Sequence, residues 1–322
     1  MMFLSVMGIT LNSFAIFVFV TRKNTKTLFH RILVCLLMEN NVYLFCTMLS
    51  SLYYDFEVKC LIWTLPYFAF PFRAISRTAC LLTTTYLSYE RFVICCDPQK
   101  LKRSGTLDGG KQEKIKMIKA IIFIILFSII YNIPRFFTYK LPTMQYEDVP
   151  EQTNLRHDPN YKLYYKGVIW GLFTIISLTI LIFLNWKVYK TMNQTLGVCD
   201  STTTNNNEGS SSGVTENIDM TNTENTKKIN MQFFKIMQKR HNLVLAMFLL
   251  VLCNVICYSL KLAEETIQAL GYDPDGLEEL QMFARLMITV NASADALIYY
   301  ISDKKFRTDI SFYSHVSLPH YR

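Results

Sequence analysis

The chain has 322 residues, 51% of them hydrophobic and 14% aromatic, with a net charge of +8 and only 11 Gly and 9 Pro. Such a composition suits long uninterrupted helices that use most of the length, which excludes a separate soluble domain. No phosphate-cradling glycine loop, HExxH helix or nucleophile elbow occurs, so no enzyme chemistry and no cofactor is indicated. No nucleic-acid motif claims the positive charge.

A helix needs about 20 apolar residues to cross a bilayer. Seven candidate spans can be marked, at roughly 2–21, 31–54, 64–96, 115–138, 163–189, 240–262 and 280–301. If the first loop is cytoplasmic, two-thirds of the 33 basic residues fall on that side, from Arg22 and Lys23 to Lys304, Lys305 and Arg307. The opposite loops are mixed or acidic, with Asp55, Glu57, Glu147, Asp148, Glu264 and Glu265. The positive-inside rule then puts the N-terminus outside and the C-terminus in the cytoplasm.

The first span lacks a basic n-region and a small-x-small cleavage site and ends at Thr21-Arg22-Lys23, so it reads as a membrane helix and not a signal peptide. The second carries Glu39-Asn40-Asn41 at mid-depth, where polar groups must face other helices because lipid cannot satisfy them. The third holds Arg73 and Arg77 on one face near its outer end, Arg73 lying about five turns before Arg91. Two readings stay open for these arginines: a water-filled cavity, or pairing with acidic residues of neighbouring helices. This span runs straight into Glu90-Arg91-Phe92 and is closed by Cys96-Asp97-Pro98. A charged pair there is costly unless it sits at the membrane boundary or against a partner.

Span four ends in Tyr131-Asn132-Ile133-Pro134-Arg135-Phe136-Phe137, and span five runs from Tyr164-Tyr165 to Leu184-Asn185-Trp186. Residues 193–226 are rich in Ser, Thr, Asn and Gly and read as a disordered third cytoplasmic loop. Span six holds Cys253-Asn254 and Cys257; span seven runs through Asn291 and Asp295 to Tyr299. Residues 302–314, with Ile310, Phe312 and Tyr313, suit a short amphipathic helix on the inner leaflet. Of nine cysteines only Cys60 is clearly extracellular and none lies in Tyr139–Lys162 to meet it, so no structural disulfide is expected.

Joined together, these motifs resemble the rhodopsin-like (class A) G-protein-coupled receptors over the whole chain. Glu90-Arg91-Phe92 matches that family's (E/D)R(Y/F) signature, Asn12 its first-helix asparagine, and Asp295-Ala-Leu-Ile-Tyr299 its NPxxY motif. Tyr131–Phe137, Asn154–Tyr161, Leu184-Asn185 and Leu252-Cys253-Asn254 resemble the invertebrate FMRFamide-type peptide receptors in particular. The resemblance implies an all-α membrane protein: a seven-transmembrane helix bundle with a short amphipathic eighth helix, in the plasma membrane. It also implies an extracellular peptide ligand and an intracellular heterotrimeric G protein as partners. In that scheme Glu90, Arg91, Phe92, Tyr299, Asp295, Asn40, Asn12 and Asn291 form the switch, with Arg91 held by Glu90 at rest and released to Tyr299 and the G protein. Arg73, Arg77 and Arg285 would line one side of a ligand cavity and Glu264 and Glu265 its rim. The acidic rim suits a peptide's basic residue, and the arginines suit its carbonyls or an acidic group.

Departures from the family pattern carry information of their own. Asn40 stands where the second helix usually has Asp, and Asp295 where the seventh usually has Asn, a reciprocal exchange that keeps one carboxylate and one amide. Asn40 and Asn291 are the expected amide donors to Asp295. Cys80 replaces the usual hydroxyl ligand of a sodium ion, and both it and Ala292 are expected to be inert. Ser177, Ile256 and Ala296 replace helix prolines, so the sixth span must hinge without its kink. The alternatives are a divergent orphan or chemosensory seven-helix receptor and a membrane transporter. A transporter would tend to show internal repeats and Gly/Pro-broken spans, which this chain lacks.

Overall fold

The computed structural model describes residues 1–21, 28–96, 107–140, 151–208 (except 159, 162, 164 and 166–168), 248–268, 270 and 277–302. Its long helices are α1 (Met2–Thr21), α2 (Leu28–Tyr54), α3 (Phe70–Cys96), α4 (Leu107–Asn132), α5 (Trp170–Glu208), α6 (248–268) and α7 (Leu277–Ser302). α3 is entered through a π turn, Leu65–Ala69, and α4 tightens into a 3-10 turn, Ile133–Phe137. Pro66 and Pro134 sit at the first positions of these turns, where a missing N–H costs least. Beyond the 3-10 turn, Tyr139–Lys140 pairs antiparallel with Glu151–Gln152, a small ribbon that the helical reading did not foresee.

Met2–Thr21, Leu28–Tyr54, Lys114–Phe137 and Gly171–Thr191 are long and apolar enough to cross a membrane. The chain is thus an all-α membrane protein in its main elements. Charged side chains keep α3, α6 and α7 below that mark: Arg73, Arg77, Glu90 and Arg91 in α3, Lys261, Glu264 and Glu265 in α6, Arg285 and Asp295 in α7. The helices carry apolar groups outward, as with Phe3, Phe17, Phe123, Leu126, Ile176 and Phe183, and bury Asn12, Asn40, Asn132, Asn185, Asn254 and Asn291. That inverted arrangement is the one a lipid solvent favours, because only neighbouring helices can satisfy the polar groups.

α2 is the hub, packed against α1 and α3 and also touching α7; α3 in turn meets α4 and α5, and α1 meets α7. The largest apolar cluster joins Val18, Ile32, Leu36, Leu87, Met117, Leu250 and Tyr299, so six of the long helices share it. α1 comes close because Gly8 has no side chain: a Cβ there would lie 2.8 Å from both Leu44 Cδ1 and Ser293 Cβ. Small residues at such crossings let backbones approach and gain dispersion contacts.

α5 continues through Asn193 as far as Glu208, inside the stretch read as disordered. A helix already formed in the membrane has met its nucleation cost, so each further residue needs only the propagation step, even in a polar run. Residues 209–226, and the amphipathic helix expected within 302–314, lie outside the described residues apart from Ser302, which ends α7.

Candidate functional site

At the C-terminal end of α3, the Arg91 guanidinium lies over the Phe29 ring, 3.4 Å from its centroid. Phe29 in turn meets the Tyr299 ring edge-on at 5.9 Å, and Tyr299 is almost wholly buried. Arg91 and Tyr299 are therefore gathered around one aromatic side chain of α2. Sequence reading put Glu90 beside Arg91 and missed Phe29. Glu90 shares a hydrogen bond with Tyr86 one turn earlier, and Phe92 is half-buried.

Halfway along α2, three consecutive polar residues reach three different helices. The thiol-bearing and hydroxyl-bearing neighbours are on α3: Thr83 Oγ1 donates to Glu39 Oε1 at 3.0 Å, and Cys80 Sγ donates to Asn40 Oδ1 at 3.1 Å. Asn40 Nδ2 donates to Asp295 Oδ2 of α7 at 2.6 Å, and Asn41 Nδ2 to Ser13 Oγ of α1 at 3.1 Å. Successive helical residues turn by about 100°, so a three-residue polar run fans out across the neighbours of a central helix. The exchanged pair, Asn40 and Asp295, is in contact as the resemblance implied.

Two details differ from expectation. Cys80 is not inert, because its thiol is the donor that occupies the Asn40 carbonyl. Asn291 does not serve Asp295; its amide donates to Asn254 Oδ1 of α6 at 3.2 Å, and Asn254 back-bonds to the Leu250 carbonyl at 2.9 Å. Ala292 has no polar side chain, yet its carbonyl accepts from Asn12 Nδ2 at 3.0 Å, which ties α1 to α7. Asn132 to Thr78 (3.0 Å) and Asn185 to Ser88 (2.9 Å) tie α4 and α5 to α3. These side-chain hydrogen bonds are the means by which the bundle meets its buried polarity.

Toward the opposite end, near the start of α3, lies a cavity of about 110 Å³, and all five residues expected to line a ligand site, Arg73, Arg77, Arg285, Glu264 and Glu265, are on its wall. The two glutamates do not form a rim. They are buried, 2% and 5% exposed, in the wall contributed by α6. Lys261, one turn before them, pairs with Glu264 and sits 3.3 Å from Glu265 Oε1. Glu264 also accepts from Gln268 Nε2 at 2.8 Å. Arg77 and Arg135 each approach Glu265 Oε1 at 3.9 Å, and Tyr258 Oη donates to the Arg77 carbonyl at 3.0 Å. A Lys with Glu at i+3 and i+4 meets both on one helical face, and burial fixes the three together.

Sequence reading missed Lys261, Arg135, Arg156 and Tyr139 as lining groups. Lys261-x-x-Glu264-Glu265 is legible as a helix-face cluster, whereas Arg135 reaches the cavity through the 3-10 turn and Arg156 through the short helical turn Asn154–His157 that follows the ribbon. Arg156 bonds the Tyr139 hydroxyl and stacks on that ring at 4.3 Å. Close by, Tyr161 stacks on Tyr165 at 5.1 Å, and burial pushes its phenol up to about 12. Tyr161 is thus protonated at neutral pH.

No protein-family model matches the chain, and a search of curated proteins finds no match either. The site is accordingly read from its residues and geometry.

Proposed function

We propose that this chain is a rhodopsin-like (class A) G-protein-coupled receptor. On this reading it is a seven-helix bundle of the plasma membrane, with its N-terminus outside and its C-terminus cytoplasmic. It takes an extracellular neuropeptide, FMRFamide-like in class, and signals to a heterotrimeric G protein. The observation that carries the reading is the 2.6 Å bond between Asn40 and Asp295. Those positions were paired in advance only because the receptor family places its acid and its amide there, and here the two residues are exchanged and still meet.

Activation in this scheme separates α6 from α3. Three contacts resist it: the Tyr258–Arg77 hydrogen bond, the Arg77–Glu265 pair, and the packing of Tyr258 on Leu81. A ligand in the outer cavity touches α3, α6 and α7 together, and it shifts the population only by binding the separated conformer more tightly. Arg91 then leaves the Phe29 face and becomes a contact for the G protein.

The test is a screen of amidated peptides on cells expressing the full chain, read by second messenger. A responding peptide whose membrane affinity falls when guanine nucleotide is added supports the reading, since coupling must be reciprocal. A peptide that binds with nucleotide-indifferent affinity and evokes no response sinks it.

A further inference from the structure

The outer cavity has a charge imbalance that narrows what can enter it. Its described wall holds six cationic side chains, Arg73, Arg77, Arg135, Arg156, Lys261 and Arg285, against two carboxylates, Glu264 and Glu265. Both carboxylates are engaged: Glu264 by Lys261 and Gln268, Glu265 by Lys261, Arg77 and Arg135. That leaves three arginines whose contacts among the described residues are neutral. Arg73 reaches Ser50 Oγ at 3.4 Å and the Phe70 ring at 5.5 Å. Arg285 reaches Gln281 Oε1 at 3.5 Å, and Arg156 has Tyr139. Arg73 and Arg285 also repel one another across the cavity. Each guanidinium has five N–H donors in a planar fork, and the single long bonds of Arg73 and Arg285 to neutral oxygens leave most of their donors without a protein acceptor.

We infer that the group bound in this cavity is an anionic one, a carboxylate, seated between Arg73 of α3 and Arg285 of α7 with Arg156 as a third contact. This rests on the receptor reading and narrows it to a peptide that carries an acidic group of its own, since an amidated C-terminus supplies no carboxylate. A carboxylate supplies the two acceptor oxygens that a guanidinium fork matches, and a negative charge between Arg73 and Arg285 removes their repulsion. A basic anchor is disfavoured, because the acids on the described wall, Glu264 and Glu265, are buried and already paired. The volume of about 110 Å³ holds a short acid or the acidic end of a peptide, not a whole chain.

The test uses the full-length protein in phosphatidylcholine nanodiscs, its thermal unfolding followed at constant ionic strength. Glutarate and its neutral isostere glutaramide are the probes. Glutarate is expected to raise the midpoint in a saturable way and glutaramide to leave it unchanged. The apparent affinity for glutarate should fall about 10- to 100-fold in Arg285→Gln and in Arg73→Gln, and remain at the wild-type level in Lys187→Gln, whose side chain is exposed on α5 outside the cavity. Arg285 is exposed on α7, so its variant carries the test even if Arg73→Gln fails to fold. Equal shifts from both probes, no shift from glutarate, or an Arg285→Gln protein that responds like wild type would overturn the inference. So would a stabilisation produced by phosphatidylglycerol in the disc while glutarate is inert, which would assign the cations to a lipid headgroup.

The two readings fail separately. Glutarate binding that depends on Arg285, in a chain that never couples to a G protein, removes the receptor and keeps the anion site. A nucleotide-sensitive response to a peptide without any acidic group, unchanged by Arg285→Gln, does the reverse.

Discussion

The mid-depth layer and the outer cavity bury polar groups in different ways. Around Asn40 the ties are single hydrogen bonds from amide, thiol and hydroxyl donors, and among the described residues neither Glu39 nor Asp295 has an ion-pair partner. Around Lys261 the groups are charged, the two glutamates are shared among several cations, and cations remain in excess. The first layer holds helices in register by single hydrogen bonds between helices, and its unmet atoms are buried acceptors, Glu39 Oε2, Asn41 Oδ1 and Asp295 Oδ1. The second layer is left, among the described residues, with a surplus of cations. On the proposed receptor reading the first region transmits and the second recognises, and variants in each separate the two.

The largest effect is expected where charge is concentrated. Lys261→Met removes the cation shared by two buried carboxylates and leaves Glu264 with Gln268 alone and Glu265 with two arginines at 3.9 Å. Leaving a buried charge without its partner costs about 3–5 kcal/mol. Lys261→Met/Glu264→Gln should recover a large part of that loss, because the uncompensated charge goes too. Thermal or denaturant unfolding in nanodiscs measures both. If the single variant were no less stable than a mid-layer variant, the two regions would not differ in the way claimed.

A smaller effect is expected at the exchanged pair. Asn40→Asp places a second carboxyl against Asp295 and removes the amide that donates to it, costing roughly 1–3 kcal/mol. Asp295→Asn on the same background restores the ordinary acid-and-amide arrangement with the chemistry reversed, and stability should return to within about 0.5 kcal/mol of wild type. A double variant as poor as the single one would show that the pair's environment, and not its mutual hydrogen bond, sets the residue at each position.

Much of the mid-layer was legible in the sequence, and the outer cavity only in part. Polar residues within apolar runs must find partners in other helices, so Glu39, Asn40, Asn41 and Asp295 announce themselves by composition alone. Their partners follow from helical geometry once the neighbours are known. Glu264 and Glu265 were misplaced for an equally physical reason. Acidic residues just past the end of a hydrophobic run look like an extracellular rim, and only the Lys261 spacing one turn earlier hints that the helix continues and turns them inward. Arg135 and Arg156 were invisible as cavity residues because a 3-10 turn and a four-residue helical turn, not a long periodic pattern, carry them there. Phe29 was missed beside Arg91 since an aromatic in a hydrophobic helix carries no signal of its own.

The smallest predicted effect concerns Cys80, which sequence reasoning took to be inert. Its thiol donates to Asn40 Oδ1 at 3.1 Å, and the same Asn40 donates to Asp295. Cys80→Ala leaves a buried carbonyl oxygen without that donor, at a cost of about 0.5–1.5 kcal/mol, while Cys80→Ser keeps a donor at the same place and should lie within about 0.5 kcal/mol of wild type. Loss of the thiol's hydrogen bond is distinguished from loss of its volume by the order of the three proteins in unfolding: wild type and Ser together, Ala below. Were Ser to fall with Ala, packing of the sulfur among Leu36, Leu87 and Ala296 in the central cluster would be its contribution, and the polar layer would end at Asn40.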